Sequence, residues 1–193
     1  MNPQRSAQLD RLSTFGEAHD DAEPEHSKRM LNITPDTGQL LWILIRSSNA
    51  KRVLEVGTSN AYSTIWLADA VAEIAGRVTT LERLPEKVEL AEAQLAEAGL
   101  RDRVEIIEGE ASVSLRDLDG EYDLIFLDAD RASYVDYLPL LVEHLRTGGL
   151  LVTDNVTSHP EEVAGFLDAV RAHPGLATVT VPIGKGEELT MKL

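Results

Sequence analysis

Two short acidic motifs hold the residue types best suited to chemistry in this sequence. Asp128 directly follows the apolar run Tyr122–Leu127, whereas Asp154 and Asn155 follow the apolar run 150–153. If both runs are neighbouring parallel strands, the two motifs meet at one edge of a sheet, with strand tips roughly 5 Å apart. Two carboxylates that close repel each other unless a cation or a shared proton joins them. With the Asn155 amide oxygen they form an all-oxygen ligand set, which suits Mg²⁺, Mn²⁺ or Ca²⁺.

A turn with a single glycine provides a second candidate site. It follows the apolar run Arg52–Val56 and covers residues 57–61. Ligands of open α/β sheets bind beyond the carboxyl ends of the strands, and Gly57 lets the main chain approach such a ligand closely. A dinucleotide site needs Gly-x-Gly-x-x-Gly, so NAD is a poor candidate. The acidic Glu55 instead suits a cofactor with a positively charged amino group, such as the methionine part of S-adenosylmethionine.

The ends of the next two apolar runs fit the same cofactor. Glu82 stands twenty-five positions after Gly57, where a carboxylate accepts hydrogen bonds from both hydroxyls of a ribose. The turn at Ala111 is expected beside the adenine. A lone glycine is often only a turn, and a glutamate at a strand end is often only solvated. Their occurrence at successive strand ends of one sheet favours the cofactor site.

The elements that must position these residues follow a regular alternation from residue 51 onward. Short apolar or β-branched runs predict strands at Arg52–Val56, Arg77–Leu81, Val104–Ile107, Tyr122–Leu127 and Leu150–Thr153. Segments with helical spacing follow each of them, at about 61–74, 86–98, 110–118, 133–146 and 160–172. Nearly continuous apolar strands between helices indicate a doubly wound parallel sheet that is covered on both faces.

The two ends of the sequence differ from this alternation. Ala177–Val181 and Glu188–Lys192 leave no room for a crossover helix, so they are expected to pair antiparallel as a C-terminal hairpin of a seven-stranded sheet. Thr34 and Pro35 suit the start of a helix. Residues 1–30 are polar, and their acidic run 20–25 is expected to break any helix there. We predict one domain over 1–193, with 1–48 as an N-terminal helical segment that acts as a lid or dimer arm and 49–193 as a Rossmann-like core.

Composition excludes several classes of function. The formal net charge of −15 repels phosphate backbones, so nucleic acid is not expected as a partner. The apolar runs are too short to span a bilayer, and no secretory signal is visible. Because the sequence has no cysteine, disulfides, thiolate metal sites and cysteine nucleophiles are excluded, which fits a cytoplasmic protein.

The motifs together resemble a known family. They are Glu55-Val56-Gly57 with Tyr62-Ser63, Asp128-Ala129-Asp130, Gly148-Gly149 and Asp154-Asn155. Over about residues 30–193 the sequence is similar to the cation-dependent O-methyltransferases, which include catechol and caffeoyl-coenzyme A O-methyltransferases and have the class I methyltransferase fold. The resemblance implies transfer of a methyl group from S-adenosylmethionine to a hydroxyl of a small molecule, by an enzyme that is commonly a dimer.

The resemblance also assigns residues to roles. The metal, usually Mg²⁺, is expected at Asp128, Asp154 and Asn155. The positions expected at S-adenosylmethionine are Thr34, Glu55, Gly57, Ser63, Glu82, Ala111 and Asp128. Thr34 belongs to a region that closes over the cofactor and the metal in the family, although the sequence itself favours a helix cap at this position.

One position departs from the family. Three residues after Asp128, the family usually carries a lysine as general base, and this sequence has Arg131. A guanidinium stays protonated at physiological pH and accepts no proton. We therefore expect the metal to activate the acceptor, as metals do for bound water, and Arg131 to supply positive charge near the reacting oxygen or to anchor an anionic substrate.

Several side chains near these motifs have simpler interpretations. Asp130 is expected to cap a helix, Tyr134 and Tyr137 to pack, and His159 to be exposed in a loop, although His159 or one tyrosine could also face the substrate. Three other functions stay open. They are a metal-independent methyltransferase, a protein that binds S-adenosylmethionine without turnover and, less in keeping with the glycine count, a nicotinamide dehydrogenase.

Overall fold

The computed structural model describes residues 1–193 and contains one sheet of seven strands. Strands β1 to β7 are Arg52–Val56, Arg77–Glu82, Val104–Glu108, Tyr122–Leu127, Leu145–Thr153, Leu176–Val181 and Glu187–Lys192. Helices α1 to α7 are Pro3–Ala22, Pro35–Ser48, Tyr62–Ala72, Pro85–Glu97, Ala111–Asp117, Tyr134–His144 and Pro160–Ala172. Short 3₁₀ turns occur at His26–Lys28, Arg101–Arg103 and Arg131–Ser133.

The strand order in the sheet is β3-β2-β1-β4-β5-β7-β6. Strands β1 to β5 pair in parallel, whereas β7 runs antiparallel to both β5 and β6. The predicted parallel sheet with a C-terminal antiparallel hairpin is confirmed. The strand order reverses between β1 and β4, and this switch point is where ligands of doubly wound sheets bind.

Both faces of the sheet are covered, which explains the nearly continuous apolar strands. In β1, Val53 belongs to the apolar cluster that includes residues of α1, α2 and α3, and Leu54 belongs to the cluster that includes residues of α5, α6 and α7. Each face therefore buries alternate residues of the same strand. None of the helices combines the length and the apolar character needed to cross a membrane.

The N-terminal segment is more helical than its acidic run suggests. Helix α1 has 20 residues and ends at Ala22, so the run terminates the helix and does not prevent it. The Asn2 side chain caps the first turn, and Leu9 and Leu12 are buried in the core. Arg5 forms an ion pair with Asp69 of α3 at 2.7 Å. These contacts fix α1 against the rest of the domain.

Candidate active site

A cavity of about 590 Å³ opens at the carboxyl ends of the central strands. One of its walls is the connection between α1 and α2, residues 26–33, which we call the cover segment. Of the residues predicted from the sequence, the cavity is lined by Gly57, Ser63, Glu82, Ala111, Asp128, Arg131 and Asn155. The remaining three predicted residues, Thr34, Glu55 and Asp154, do not line it.

The turn after β1 forms the wall at the sheet's switch point. Gly57 has φ +108, and a Cβ there would overlap the main-chain oxygen of Asp128, so the close packing of β1 against β4 already requires glycine. Ala61 stands in the left-handed region with φ 65 and begins α3 without a side-chain cap. The unpartnered amides of a helix start favour a negatively charged ligand group, such as the carboxylate of an amino acid.

Glu82 lies at the end of β2 and is held by main-chain amides. Its carboxylate accepts hydrogen bonds from Ser59 N and Leu84 N, both at 2.9 Å. The Glu82 side chain is therefore oriented before any ligand binds, and it lines the cavity. An oriented carboxylate of this kind is suited to accept hydrogen bonds from two neighbouring hydroxyls.

Glu55 differs from the expectation that it contacts the cofactor. Its carboxylate is fully buried below the turn and accepts hydrogen bonds from Ser63 Oγ at 2.5 Å, Thr64 Oγ1 at 2.6 Å and Thr80 Oγ1 at 2.6 Å. Burial raises the pKa of Glu55 to about 7, although the three hydroxyl donors oppose that rise. Glu55 thus orients Ser63, which does line the cavity, and has no direct route to a ligand there.

Thr34 is a helix cap and not a wall of the cavity. Its hydroxyl accepts a hydrogen bond from Thr37 N at 3.2 Å at the start of α2. The Thr37 hydroxyl in turn donates to the buried carboxylate of Glu187 at 2.8 Å. Thr34 therefore caps α2 and does not line the cavity, and its contact with the cofactor stays a prediction.

The two acidic strand tips meet, as their sequence context predicts. Strands β4 and β5 are neighbours, and Asn155 Nδ2 donates to Asp128 Oδ1 at 2.9 Å and to Asp154 Oδ2 at 3.2 Å. Asn155 has φ 71, the left-handed conformation that asparagine tolerates better than most residues. The amide group therefore stands between the two carboxylates.

A third carboxyl, which the sequence analysis missed, stands behind this pair. Glu187 of β7 is buried, and Asp154 Oδ1 and Glu187 Oε2 are both buried oxygens without a hydrogen-bond partner. Burial and the charge of Asp154 raise the pKa of Glu187. The only sequence signal was the pair Glu187-Glu188 at the start of a strand, which by itself resembles an exposed edge.

The chemical types of these donor atoms, carboxylate and amide oxygens, fit a hard divalent cation. Asp128 and Asp154 each offer a carboxylate, and burial raises the pKa of both while the positive charges of Lys185 and Arg131 lower it. Asp154 Oδ1 is a buried oxygen without a hydrogen-bond donor. Rotation of the Asn155 amide by half a turn would present its oxygen where its nitrogen now stands. No group of three or more His, Cys, Asp or Glu side chains has metal-binding geometry, so a cation bound here would need the Asn155 oxygen as a further ligand.

Arg131 lines the cavity in the 3₁₀ turn that precedes α6. Its Nε donates to Glu162 Oε2 of α7 at 2.7 Å, so the guanidinium is oriented by an exposed carboxylate. Asp130 caps the same turn through Ala132 N, and Tyr134 is buried against Phe166, as the sequence predicts.

Other side chains also line the cavity wall. His159 and Tyr137 were left open from the sequence as residues that could face the substrate, whereas Lys87 and Lys185 had no signal there. The positively charged wall residues are Arg29, Arg83, Lys87, Arg131 and Lys185, and the acidic ones are Glu82, Glu110, Asp128 and Asp130. The wall is therefore not strongly negative, although the chain carries a net charge of −15.

Comparisons with known proteins agree with this geometry. The O-methyltransferase family model matches residues 13–188. A catechol O-methyltransferase of Mycobacterium tuberculosis is 37% identical over 166 residues, which cover 79% of this chain and 75% of that protein.

Two solved structures share the fold over nearly all of this chain. An O-methyltransferase of Bacillus cereus in complex with SAH has a TM-score of 0.83 at 25% identity, covering 97% of this chain and 91% of that one. TomG of Streptomyces achromogenes, involved in tomaymycin synthesis and in complex with SAM, has a TM-score of 0.82 at 26% identity, covering 100% of this chain and 90% of that one. With its sheet order, its one-glycine turn and its match to the family model, this chain belongs to the class I, S-adenosylmethionine-dependent O-methyltransferase family.

Proposed function

We propose that this chain transfers the methyl group of S-adenosylmethionine to a hydroxyl of a catechol-like or phenolic small molecule, assisted by a divalent metal ion such as Mg²⁺. The observation that carries this proposal is the meeting of Asp128, Asp154 and Asn155 beside a cavity that also contains the turn at Gly57 and the oriented Glu82. The printed names of the relatives support it, since one is a catechol O-methyltransferase and two structures hold SAH or SAM.

The cofactor side of the cavity offers polar groups for the ribose and the methionine carboxylate of S-adenosylmethionine. Glu82, which lines the cavity, would accept hydrogen bonds from the ribose hydroxyls, and Ala111, on the same wall, would border the adenine. The main-chain amides at the start of α3 receive the methionine carboxylate, whereas the Ser63 hydroxyl, which donates its hydrogen to Glu55, can only accept a hydrogen bond from a ligand. These roles follow from the chemistry of the residues that line the cavity.

In the reaction the acceptor oxygen forms a bond to the methyl carbon while the carbon–sulfur bond breaks. The electron pair of that bond goes to sulfur, so the sulfonium becomes a neutral thioether and the acceptor hydroxyl releases its proton. Asp128, Asp154 and Asn155 are the residues that would hold the metal. When bound, a divalent cation lowers the pKa of an acceptor hydroxyl and orients it. Glu187 places a third buried carboxyl behind Asp154.

Arg131 contributes positive charge on the acceptor side and takes no proton. Its guanidinium lines the cavity, and its Nε donates to Glu162, so the other N–H groups of the guanidinium are available to a ligand. Arg131→Lys is expected to lower turnover and to change the pH profile of kcat, because lysine loses the oriented fork and introduces a titrating group. Unchanged turnover together with an unchanged pH profile would remove Arg131 from this role.

Activity on a panel of catechols and simple phenols tests the proposal. Methyl transfer is expected with Mg²⁺ and is expected to fall strongly when EDTA removes the metal. Calorimetry with S-adenosylmethionine, S-adenosylhomocysteine and NAD identifies the cofactor, and NAD is expected not to bind. Asp154→Ala should lose the response to Mg²⁺ while keeping affinity for S-adenosylhomocysteine.

A metal-independent methyltransferase is the second candidate. The Asn155 amide nitrogen already links the two carboxylates without a cation, and Arg131 supplies a fixed positive charge. Methyl transfer that is insensitive to EDTA would favour this function, and tight cofactor binding without transfer to any acceptor would favour a binding protein. We also propose that the protein is a cytoplasmic homodimer. Light scattering would measure its mass in solution.

A further inference from the structure

The turn between β6 and β7 places a lysine beside the acidic strand tips. The main-chain oxygen of Lys185 accepts hydrogen bonds from Thr157 N at 3.1 Å, Ser158 N at 3.0 Å and Thr157 Oγ1 at 2.7 Å. Gly186 next to it has φ +88, and a Cβ there would overlap the Thr157 side chain. The turn is thus packed firmly on the loop that follows Asp154, and the base of the Lys185 side chain has a fixed position.

The ammonium group of Lys185 lines the cavity and keeps donors free. The side chain is half-buried, and its Nζ makes a single hydrogen bond, to the main-chain oxygen of Asn32 in the cover segment at 3.2 Å. Lys185 forms none of the ion pairs of the chain. An ammonium has three N–H donors, so two remain for a ligand.

Lys185 differs in this respect from the other positive group beside the carboxyls. Arg131 forms an ion pair with Glu162, whereas Lys185 has no carboxylate partner. Burial raises the pKa of Asp128 and Asp154, whereas the charge of Lys185 lowers it. A partly buried cation without a counter-charge is unfavourable by itself. An acceptor oxygen that becomes negative during the reaction would supply the missing partner.

We propose that Lys185 is an acceptor-binding residue, whose ammonium donates a hydrogen bond to the oxygen that receives the methyl group. This inference rests on the proposed function. As the acceptor hydroxyl releases its proton to solvent, the fixed ammonium stabilises the oxyanion, and that oxygen then attacks the methyl carbon as the carbon–sulfur pair moves to sulfur. Lys185 donates a hydrogen bond and transfers no proton, so the step needs no further acid, base or oxidant.

The first test compares variants of this side chain. Lys185→Met keeps the length of the side chain without its charge, and Lys185→Arg keeps the charge. Lys51→Met is the matched control, because Lys51 is exposed at the amino end of β1, away from the cavity. Lys185→Met is expected to lower kcat/KM for a catechol about tenfold or more, with partial rescue by Lys185→Arg. Because Lys185→Met also loses the hydrogen bond to Asn32 of the cover segment, its melting temperature and its affinity for S-adenosylhomocysteine are expected to fall slightly below those of the Lys51→Met control, and by less than kcat/KM falls.

The second test needs no turnover. 4-Nitrocatechol changes colour when its hydroxyl ionises, so its apparent pKa on the protein is measured directly with S-adenosylhomocysteine present and EDTA added. The wild type and the Lys51→Met control are expected to lower this pKa, and Lys185→Met to raise it again by about one unit, a tenfold change in the ionisation equilibrium.

The outcomes separate the two proposals. An equal pKa of the probe on Lys185→Met and on the wild type overturns the role of Lys185, whether or not methyl transfer occurs. A Lys185-dependent pKa without methyl transfer by the wild type supports Lys185 and contradicts the proposed function. If the wild type binds the probe only with Mg²⁺, the same comparison of variants is made there, and failure to bind it with either EDTA or Mg²⁺ present overturns both.

Discussion

Asp20 provides the sharpest test of how the cover segment is held. Its carboxylate, on α1, accepts hydrogen bonds from Met30 N at 2.6 Å and Leu31 N at 2.8 Å, and Leu31 has the unusual φ of 53. The carboxylate is about one-fifth exposed, at 21%. In Asp20→Asn one side-chain oxygen still accepts one of these hydrogen bonds, so we expect a loss of about 1–2 kcal/mol in the free energy of unfolding. For a domain of this size that loss lowers the melting temperature by about 2–8 °C.

The pH dependence of this difference has a definite sign. Burial opposes ionisation of Asp20, but the amides of Met30 and Leu31 outweigh it, so its folded-state pKa is lowered. A lowered pKa contributes stability that is complete above the pKa of an unfolded aspartate, about 3.9, and is lost as the pH falls through the folded-state value. The advantage of the wild type over Asp20→Asn is therefore expected at pH 7 and should shrink below about pH 4.

Thermal unfolding followed by circular dichroism at pH 7, 5 and 3 measures this difference. Calorimetry with S-adenosylhomocysteine is the functional readout, with an expected loss of about fivefold in affinity because the cover segment forms a wall of the cavity. Asp21→Asn is the matched control, since Asp21 is the exposed neighbour on the same helix. Equal melting temperatures for Asp20→Asn and wild type at pH 7, or a gap that stays constant down to pH 3, would refute the reasoning.

Three further substitutions test the cofactor side. Gly57→Ala is expected to cost about 3 kcal/mol or more in unfolding free energy, because φ +108 is strained for alanine and its Cβ overlaps the Asp128 main chain; denaturant titration measures it, and a cost under half that value would contradict it. Glu82→Gln should lower the affinity for S-adenosylhomocysteine about tenfold in calorimetry, since a carboxylate accepts hydrogen bonds more strongly than an amide. Its unfolding free energy should fall by less than that of Gly57→Ala, and an unchanged affinity would exclude the ribose contact. Glu55→Gln should gain stability relative to wild type as the pH rises from 4.5 to about 7. In that window Glu55 of the wild type ionises in the unfolded chain but keeps its proton in the folded state, so the wild type loses stability with rising pH. A difference in stability that does not change with pH would contradict this.

The strands were predictable because buried strands leave a run of apolar residues in the local sequence. Four apolar runs match strands β1 to β4 to within one residue, since β1, β2 and β4 are largely buried and the edge strand β3 keeps its apolar residues half-buried or buried. The exception is β5, which begins at Leu145 and not at the predicted Leu150. Its first part contains Arg146 and Thr147 and pairs irregularly with β4, so it lacks the apolar pattern that marks the rest.

The site was predictable only where it depends on strand ends. Asp128 and Asp154 meet because parallel neighbours end at one edge, a rule that needs no side-chain detail. Glu55 could not be placed on the correct side of the turn, because a strand buried on both faces gives no polar alternation to indicate orientation. Glu187 and Lys185 could not be found at all, since the hairpin that carries them reaches the site only through its pairing with β5.

The position of β7 in the sheet has a consequence for how this protein is made. The strand that is synthesised after all the others lies between β5 and β6, so β6 has no neighbour in the sheet until β7 is available. The hairpin also brings Lys185 to Asn32, a hydrogen bond across 153 positions of the chain. Pairings of such long range form slowly. During translation, β6 and the open edge of β5 are therefore exposed to other chains, and chaperones have the greatest opportunity to bind at that stage.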